Sequence, residues 1–270
     1  MTISMAAKVD LYNSAYGSYE ADVYRRIRTA TYGQDFGQTS WVTTEESHKI
    51  PHLLDLSPGS SVLEIGSGSG RYALHLVETM GCHVLGVDLN EFGVENANRL
   101  SVEAGFSDRA RFQTCDVSKP LPFKDASFDA AFSNDVICHI PGRISLLRGL
   151  FRVLKPGGKL LFSDALVIGG TISHQEIAAR SSIGYYIFSP PGENERLLIE
   201  AGFSVLSATD TTANAAAISA RWREARDNSK DQLIAIEGES NFQGLQQFLS
   251  CVHTLTSERR LLRFIYVAAR

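Results

Sequence analysis

The chain contains no run of about 18 consecutive apolar residues, the length a membrane-spanning helix needs. Its opening, MTISMAAKVDLYNSAYGSYE, lacks a basic start followed by an apolar stretch, so no secretory signal is read and a cytoplasmic location without membrane association is expected. Cysteine is sparse: Cys82, Cys115, Cys138 and Cys251 form neither a CxxC pair nor a metal-ligand spacing, which predicts reduced interior thiols and no metal site. An excess of positive charge is missing too. A formal net charge of -4 argues against a protein built to coat nucleic acid, and no nucleic-acid partner is expected. The arginine-bearing run Ala220–Asp227 has acids interleaved, with Arg223 four positions before Asp227, and reads as a solvated helix. No repeat, low-complexity tract or Gly/Ser linker divides the 270 residues, which suit one enlarged α/β domain. Nothing in the pattern sets an oligomeric state.

From Ser61 onward, short apolar runs alternate with helical stripes, the pattern of a parallel sheet covered on both faces. Val62–Gly66 is the first strand, Arg71–Met80 a helix with Ala73, Leu74, Leu76, Val77 and Met80 on one stripe, and His83–Asp88 the second strand. Asn90 caps a helix that Gly105 closes, and Ala110–Asp116 and Phe128–Asn134 follow as strands. A helix through Ile144, Leu147, Leu150 and Leu154 is stopped by Lys155-Pro156-Gly157-Gly158 before a strand over Lys159–Ser163. Phe203–Ser207 and Leu262–Ala268 bring the strands to seven. The predicted fold is a Rossmann-like, doubly wound α/β sheet, mostly parallel with its last strand antiparallel, plus a helical lid. Residues 1–57 read as a helical cover, and 58–270 as the catalytic domain with lid insertions near 165–200 and 211–258.

Glu64-Ile65-Gly66-Ser67-Gly68-Ser69-Gly70 stands where strand turns into helix, so its glycines permit a tight turn and a close approach of backbone to ligand. Any α/β protein needs tight βα turns, and the loop alone identifies nothing. Asp88 ends the second strand, 18 positions after Gly70, where a carboxylate can accept from both ribose hydroxyls of an adenosine. Asp116 ends the third and can accept from an adenine amino group; either acid taken singly could be a turn or capping residue. Dinucleotide enzymes share the first two features, but their loop reads G-x-G-x-x-G whereas this one reads G-x-G-x-G. Glu64 would repel a pyrophosphate and attract the ammonium and sulfonium of S-adenosylmethionine.

These residues resemble the class I methyltransferases. Val62–Gly70, Gly86–Asn90, Cys115-Asp116-Val117, Phe128–Asn134 and Val153–Asp164 are similar to that family's successive motifs. The resemblance implies that Gly66, Ser67 and Gly68 meet the methionine part of S-adenosylmethionine, with S-adenosylhomocysteine as product, Asp88 the ribose, Asp116 and Val117 the adenine, and Asn134 the sulfonium side; Glu64, Gly70 and Leu89 are further cofactor-binding candidates.

Methyl transfer is an in-line displacement, so the acceptor side needs alignment, dryness and a proton acceptor more than elaborate chemistry. Candidates cluster in Ser133–Pro141, at the carboxyl end of the fourth strand. If this segment makes a helical turn, Asp135 and His139 share a face, with His139 as candidate base; a capping or partly buried structural histidine is the alternative. The D-x-x-x-H spacing is similar to that of the phosphoethanolamine and sarcosine/dimethylglycine branch, in which a tyrosine of the N-terminal cover pairs with the histidine. Tyr19 lies near the matching position, though Tyr19, Val23, Ile27 and Ala30 also form a stripe that would pack on the core. Trp41, Arg180, Tyr185 and Tyr186 are candidate acceptor-binding residues, with Arg180 offering charge to an anionic acceptor; core and lid roles compete for all four. The expected activity is methyl transfer to a small nitrogen or oxygen acceptor. The alternatives are an NAD(P)-dependent oxidoreductase and a non-catalytic nucleoside-binding Rossmann-like module.

Overall fold

The computed structural model describes residues 9–270; the first eight residues of the expected N-terminal cover lie outside them. Three helices precede the sheet: α1 (Tyr12–Gly17), α2 (Asp22–Tyr32) and α3 (Thr44–Leu53). The α3 start is a full capping box, with the Thr43 side chain accepting from the Glu46 N–H and the Glu46 carboxylate accepting from the Thr43 N–H. Then β1 (Ser61–Ile65), α4 (Arg71–Met80), β2 (His83–Asp88), α5 (Glu91–Glu103), β3 (Ala110–Thr114) and β4 (Phe128–Ser133) alternate. A 3-10 turn over Ile137–His139 leads to α6 (Arg143–Val153), β5 (Leu154–Ile168), α7 (His174–Arg180), α8 (Glu193–Glu200) and β6 (Ser204–Asp210). The helices α9 (Thr212–Asp227), α10 (Lys230–Glu237) and α11 (Glu239–Ser257) precede the final strand β7 (Leu261–Ala269).

The seven strands form one sheet in the order β3-β2-β1-β4-β5-β7-β6. β1 through β5 run parallel, and β7 is antiparallel to both neighbours. Order reverses between β1 and β4, and the carboxyl ends of these two strands therefore diverge over a crevice. One face of the sheet is packed by α6 and α8 through Leu147, Leu150 and Leu198. The other is packed by α3, α4 and α5 through Ile50, Leu76, Val77 and Ala97. A third apolar cluster joins α2 with α9 and α11 above the ends of β5 and β7, using Val23, Ile27, Ile218, Trp222, Phe248 and Leu249.

Several boundaries move relative to the sequence pattern. β5 starts at Leu154, because Leu154 pairs with Phe128 ahead of a register shift, so the Lys155–Gly158 stop is a bulge within the strand. Arg270 and the two glycines pin it, with Gly157 N–H donating to the Arg270 carbonyl and Arg270 N–H to the Gly158 carbonyl. The stretch 165–200, expected as lid, contains the last turn-ward residues of β5 and the sheet-covering helix α8. The expected stripe from Tyr19 to Ala30 is broken as well: Tyr19 lies between α1 and α2, and Ala30 is exposed while Tyr32 is buried. Among the described residues, no helix is long and apolar enough to cross a membrane.

Candidate active site

β1 delivers Glu64 and the glycine loop to the crevice, and most of the loop's amides are already committed. Gly66 and Ser67 N–H donate to the Val87 carbonyl at 2.7 and 3.1 Å, and Gly68 N–H donates to Asp88 Oδ2 at 2.8 Å. The glycines therefore serve close approach more than anion capture. Gly66 has φ +78°, and a methyl group on it would lie 2.2 Å from Val136 Cγ2. On Gly68, at φ +50°, a methyl group would lie 2.4 Å from the Tyr16 hydroxyl. Each glycine thus lets one wall of the crevice, β4's loop or α1, lie directly on the loop.

The result is a cavity of about 910 Å³, at the upper end of small-molecule sites. Every residue predicted for the cofactor except Gly70 lines it: Glu64, Gly66, Ser67, Gly68, Asp88, Leu89, Asp116, Val117 and Asn134. Gly70 lies behind the loop, where a side chain would strike Ala97 and Phe112. Glu64 is 4% exposed, its Oε2 has no hydrogen-bond partner, and burial with Asp88 nearby pushes its carboxyl well above the usual carboxylate range. Asp88 is held by the N–H groups of Gly68 and Asn90, one on each oxygen, and burial raises its carboxyl despite those bonds. Each oxygen retains a lone pair for a ligand hydroxyl. Asp116 sits just past β3 at the surface, where Ser118 holds its Oδ1 and lowers its carboxyl.

Five acidic residues, Asp10, Glu64, Asp88, Glu91 and Asp116, line the cavity, and among the described lining residues there is no lysine or arginine. A diphosphate placed here would meet acids and no cation. A ligand carrying an ammonium and a sulfonium would satisfy the orphaned oxygen of Glu64 and the acidic field around it. The residues present thus fit S-adenosylmethionine and not a dinucleotide.

The acceptor side departs from expectation at several residues. His139 lines the cavity, and its Nδ1 stands 2.9 Å from the Tyr185 carbonyl, which can only accept. Nδ1 therefore carries the hydrogen, and Nε2 presents its lone pair to the Tyr12 hydroxyl at 3.2 Å. Burial holds the imidazole down to about 4, so it is neutral at physiological pH. The cover's tyrosine partner is Tyr12, not Tyr19. Tyr19 lies past the end of α1 with the Arg28 guanidinium 4.2 Å over its ring. Tyr12 and Tyr16 stand one helical turn apart on α1 and both line the cavity, a spacing visible in the chain once α1 is known to end at Gly17.

Asp135 does not share a face with His139. It has φ +59°, is 7% exposed and points inward, accepting from Ser163 Oγ at 2.8 Å, Arg263 Nε at 2.9 Å and the Trp41 N–H at 2.8 Å. Arg263, fully buried on β7, also donates to Glu46 Oε1 at 2.8 Å and Thr211 Oγ1 at 2.7 Å. This network ties α3, the β4 loop and β7 together behind the site. Neither Arg263 nor Glu46 carries any sequence signal for such a pairing across 217 positions. Trp41 packs against Trp222 and Phe248 in the core and is absent from the cavity wall. Arg180 is 1% exposed, stacked 4.3 Å over the Tyr186 ring, and Tyr186 in turn stacks 4.2 Å from His139. Tyr185 is exposed and meets the site through its carbonyl alone.

Fold and site together define a nucleoside-cofactor enzyme of the doubly wound α/β class, with a cavity made for a cationic ligand. A family model described as a methyltransferase domain matches residues 63–162. An O-methyltransferase (resE) of Aspergillus sclerotiorum is 30% identical over 214 residues, 77% of this chain and 80% of that protein. The chain belongs to the S-adenosylmethionine-dependent methyltransferases. A phosphoethanolamine N-methyltransferase of Triticum aestivum is 30% identical over 223 residues, covering 81% of this chain; the chain spans 41% of that relative's length. Haemonchus contortus phosphoethanolamine N-methyltransferase 2, solved with phosphomonomethylethanolamine and S-adenosylhomocysteine, shares the fold with a TM-score of 0.79 at 22% identity, over 96% of this chain and 59% of that one.

Proposed function

We propose that this protein moves a methyl group from S-adenosylmethionine to a nitrogen or oxygen of a small molecule by in-line displacement, with His139 as proton acceptor. The observation that carries this reading is the orientation of His139. Its Nε2 accepts from the hydroxyl of Tyr12, and both residues line the same cavity as Glu64, the glycine loop and Asp88. When bound, the cofactor supplies a methyl carbon already activated by positive sulfur, so the chain's residues need only bind, orient and receive a proton.

In this reading Glu64 meets the cofactor's ammonium, Asp88 its ribose hydroxyls, Asp116 and Val117 its adenine, and Asn134 the sulfur side. Tyr12 hydrogen-bonds Nε2 and closes the wall over the acceptor, and α1 with α9–α11 forms the lid. Asp135 acts by holding the backbone of Trp41 and of its own loop rather than by touching the acceptor. The oxidoreductase alternative loses ground to the acid-lined wall. A purely binding module would not need the neutral, cavity-facing imidazole.

Calorimetry with S-adenosylhomocysteine tests the reading. Saturable binding is expected, with a loss of at least about tenfold in Asp88→Ala, since one charged acceptor of two ribose hydroxyls is removed. Absence of binding by the intact chain would sink it.

A further inference from the structure

The acceptor end of the cavity is built from apolar residues around His139: Val9, Leu11, Tyr12, Ile140, Ile183 and Gly184. The Val9 N–H donates to the Ser182 carbonyl at 2.9 Å, which closes the segment before α1 onto the segment after α7 and makes these residues one wall. The charged and titratable groups near it are few. They include the carboxyl group of Asp10, which accepts from the Asn13 N–H and the Ser14 hydroxyl, and the neutral imidazole of His139.

The one guanidinium close by is Arg180, which is 1% exposed and is not among the residues that line the cavity. It packs on Tyr186, whose ring centroid is 4.3 Å from the guanidinium carbon and 4.2 Å from that of the His139 ring. Phe248 and Trp41 flank the same guanidinium at 5.2 and 5.8 Å. Three aromatic rings surround Arg180 in place of a carboxylate, and its Nε and Nη1 have no hydrogen-bond partner. Among the described residues that line the cavity, nothing can neutralise a phosphate or carboxylate.

We infer that the acceptor is an uncharged, predominantly apolar hydroxyl compound, such as a phenol or enol, and not a phosphate- or carboxylate-bearing amine. This rests on the methyl-transfer reading above. An anionic group beside Asp10 with no cation would be buried unpaired, which is strongly unfavourable. An apolar body gains from the same wall at about 25 cal/mol per Å² covered. Its hydroxyl gives its proton to the Tyr12 oxygen as the Tyr12 proton passes to His139 Nε2, while the acceptor oxygen's lone pair forms the new bond to the methyl carbon. The carbon–sulfur bond breaks with its electron pair kept by sulfur, leaving a methyl ether, a neutral thioether and an imidazolium.

Matched probes separate the possibilities: 1-naphthol, 1-naphthyl phosphate and phosphoethanolamine, each titrated calorimetrically into the full chain saturated with S-adenosylhomocysteine. The expected result is saturable 1-naphthol binding, about tenfold or more tighter than 1-naphthyl phosphate, with no saturable phosphoethanolamine binding. Ile140→Arg, which adds a cation to the wall, should narrow or invert the naphthol preference while S-adenosylhomocysteine affinity stays unchanged. Three outcomes overturn the inference: equal or tighter binding of the naphthyl phosphate, saturable phosphoethanolamine binding that Arg180→Met abolishes, or no 1-naphthol binding by protein that holds S-adenosylhomocysteine. Failure to bind S-adenosylhomocysteine would instead overturn the methyl-transfer reading itself.

Discussion

Replacing Arg263 with methionine should be among the most destabilising single changes available in this chain. Arg263 is fully buried and donates to two carboxylates, Asp135 at 2.9 Å and Glu46 at 2.8 Å, whose side chains are themselves 4% and 7% exposed. Methionine fills much of the volume but leaves both acids without their cation. Breaking a buried pair by removing one partner costs about 3–5 kcal/mol, because the remaining charge stays buried. Two acids are stranded here, but each keeps other donors. Asp135 retains Ser163 Oγ and the Trp41 N–H, and Glu46 retains the Thr43 N–H and Asn214 Nδ2. The expected loss therefore stays near that range instead of doubling. Urea denaturation followed by circular dichroism measures it, and the midpoint should fall with little change in slope. Adding Glu46→Gln to Arg263→Met should recover part of the loss, since one stranded charge is removed with it. A loss below about 1 kcal/mol for Arg263→Met would refute the claim that this network holds the β4 loop.

The further outcomes concern His139 and its neighbours. His139→Ala should lower turnover by about 100-fold or more while leaving S-adenosylhomocysteine affinity nearly unchanged. In the unaltered enzyme the histidine becomes charged only as pH falls through about 4, so the acid limb of kcat/KM should lie far below that of an ordinary histidine. An acid limb near pH 6.5 that disappears in His139→Ala would contradict the burial argument. The same shift makes stability rise with pH between about 4 and 6.5, because over that interval the unfolded chain binds the proton that the folded imidazole refuses. Tyr12→Phe should lower kcat, whereas Tyr19→Phe should leave it unchanged; steady-state kinetics showing the reverse would restore Tyr19 as the partner of His139.

The branch that the D-x-x-x-H spacing resembles methylates phosphate- and carboxylate-bearing amines, yet the wall around His139 has the polarity of an apolar pocket. The fold is shared, while in the proposed reading the acceptor end is set by side chains on the N-terminal cover and on the segment after α7. Loops and covers diversify on a common sheet because their residues can change without disturbing strand pairing.

What the sequence determined by itself is whatever depends on local order along the chain. Seven strands, the helices between them and the strand-end residues Glu64, Asp88, Asp116 and Asn134 follow from period and turn chemistry. A βα unit places the end of its own strand at the same edge of the sheet wherever the rest of the chain goes. What only the tertiary structure decided is every relation that crosses the sheet's edge. That includes Tyr12 over His139, Asp135 turned away toward Arg263, Trp41 in the core, and Arg180 buried against Tyr186. Apart from Arg180 and Tyr186, which are near neighbours in the chain, these pairings join residues more than a hundred positions apart. Their geometry depends on how a short helix ends at Gly17 and how one aspartate adopts a positive φ, neither of which periodicity records. The donor site is local and was legible; the acceptor site is an assembly of distant pieces.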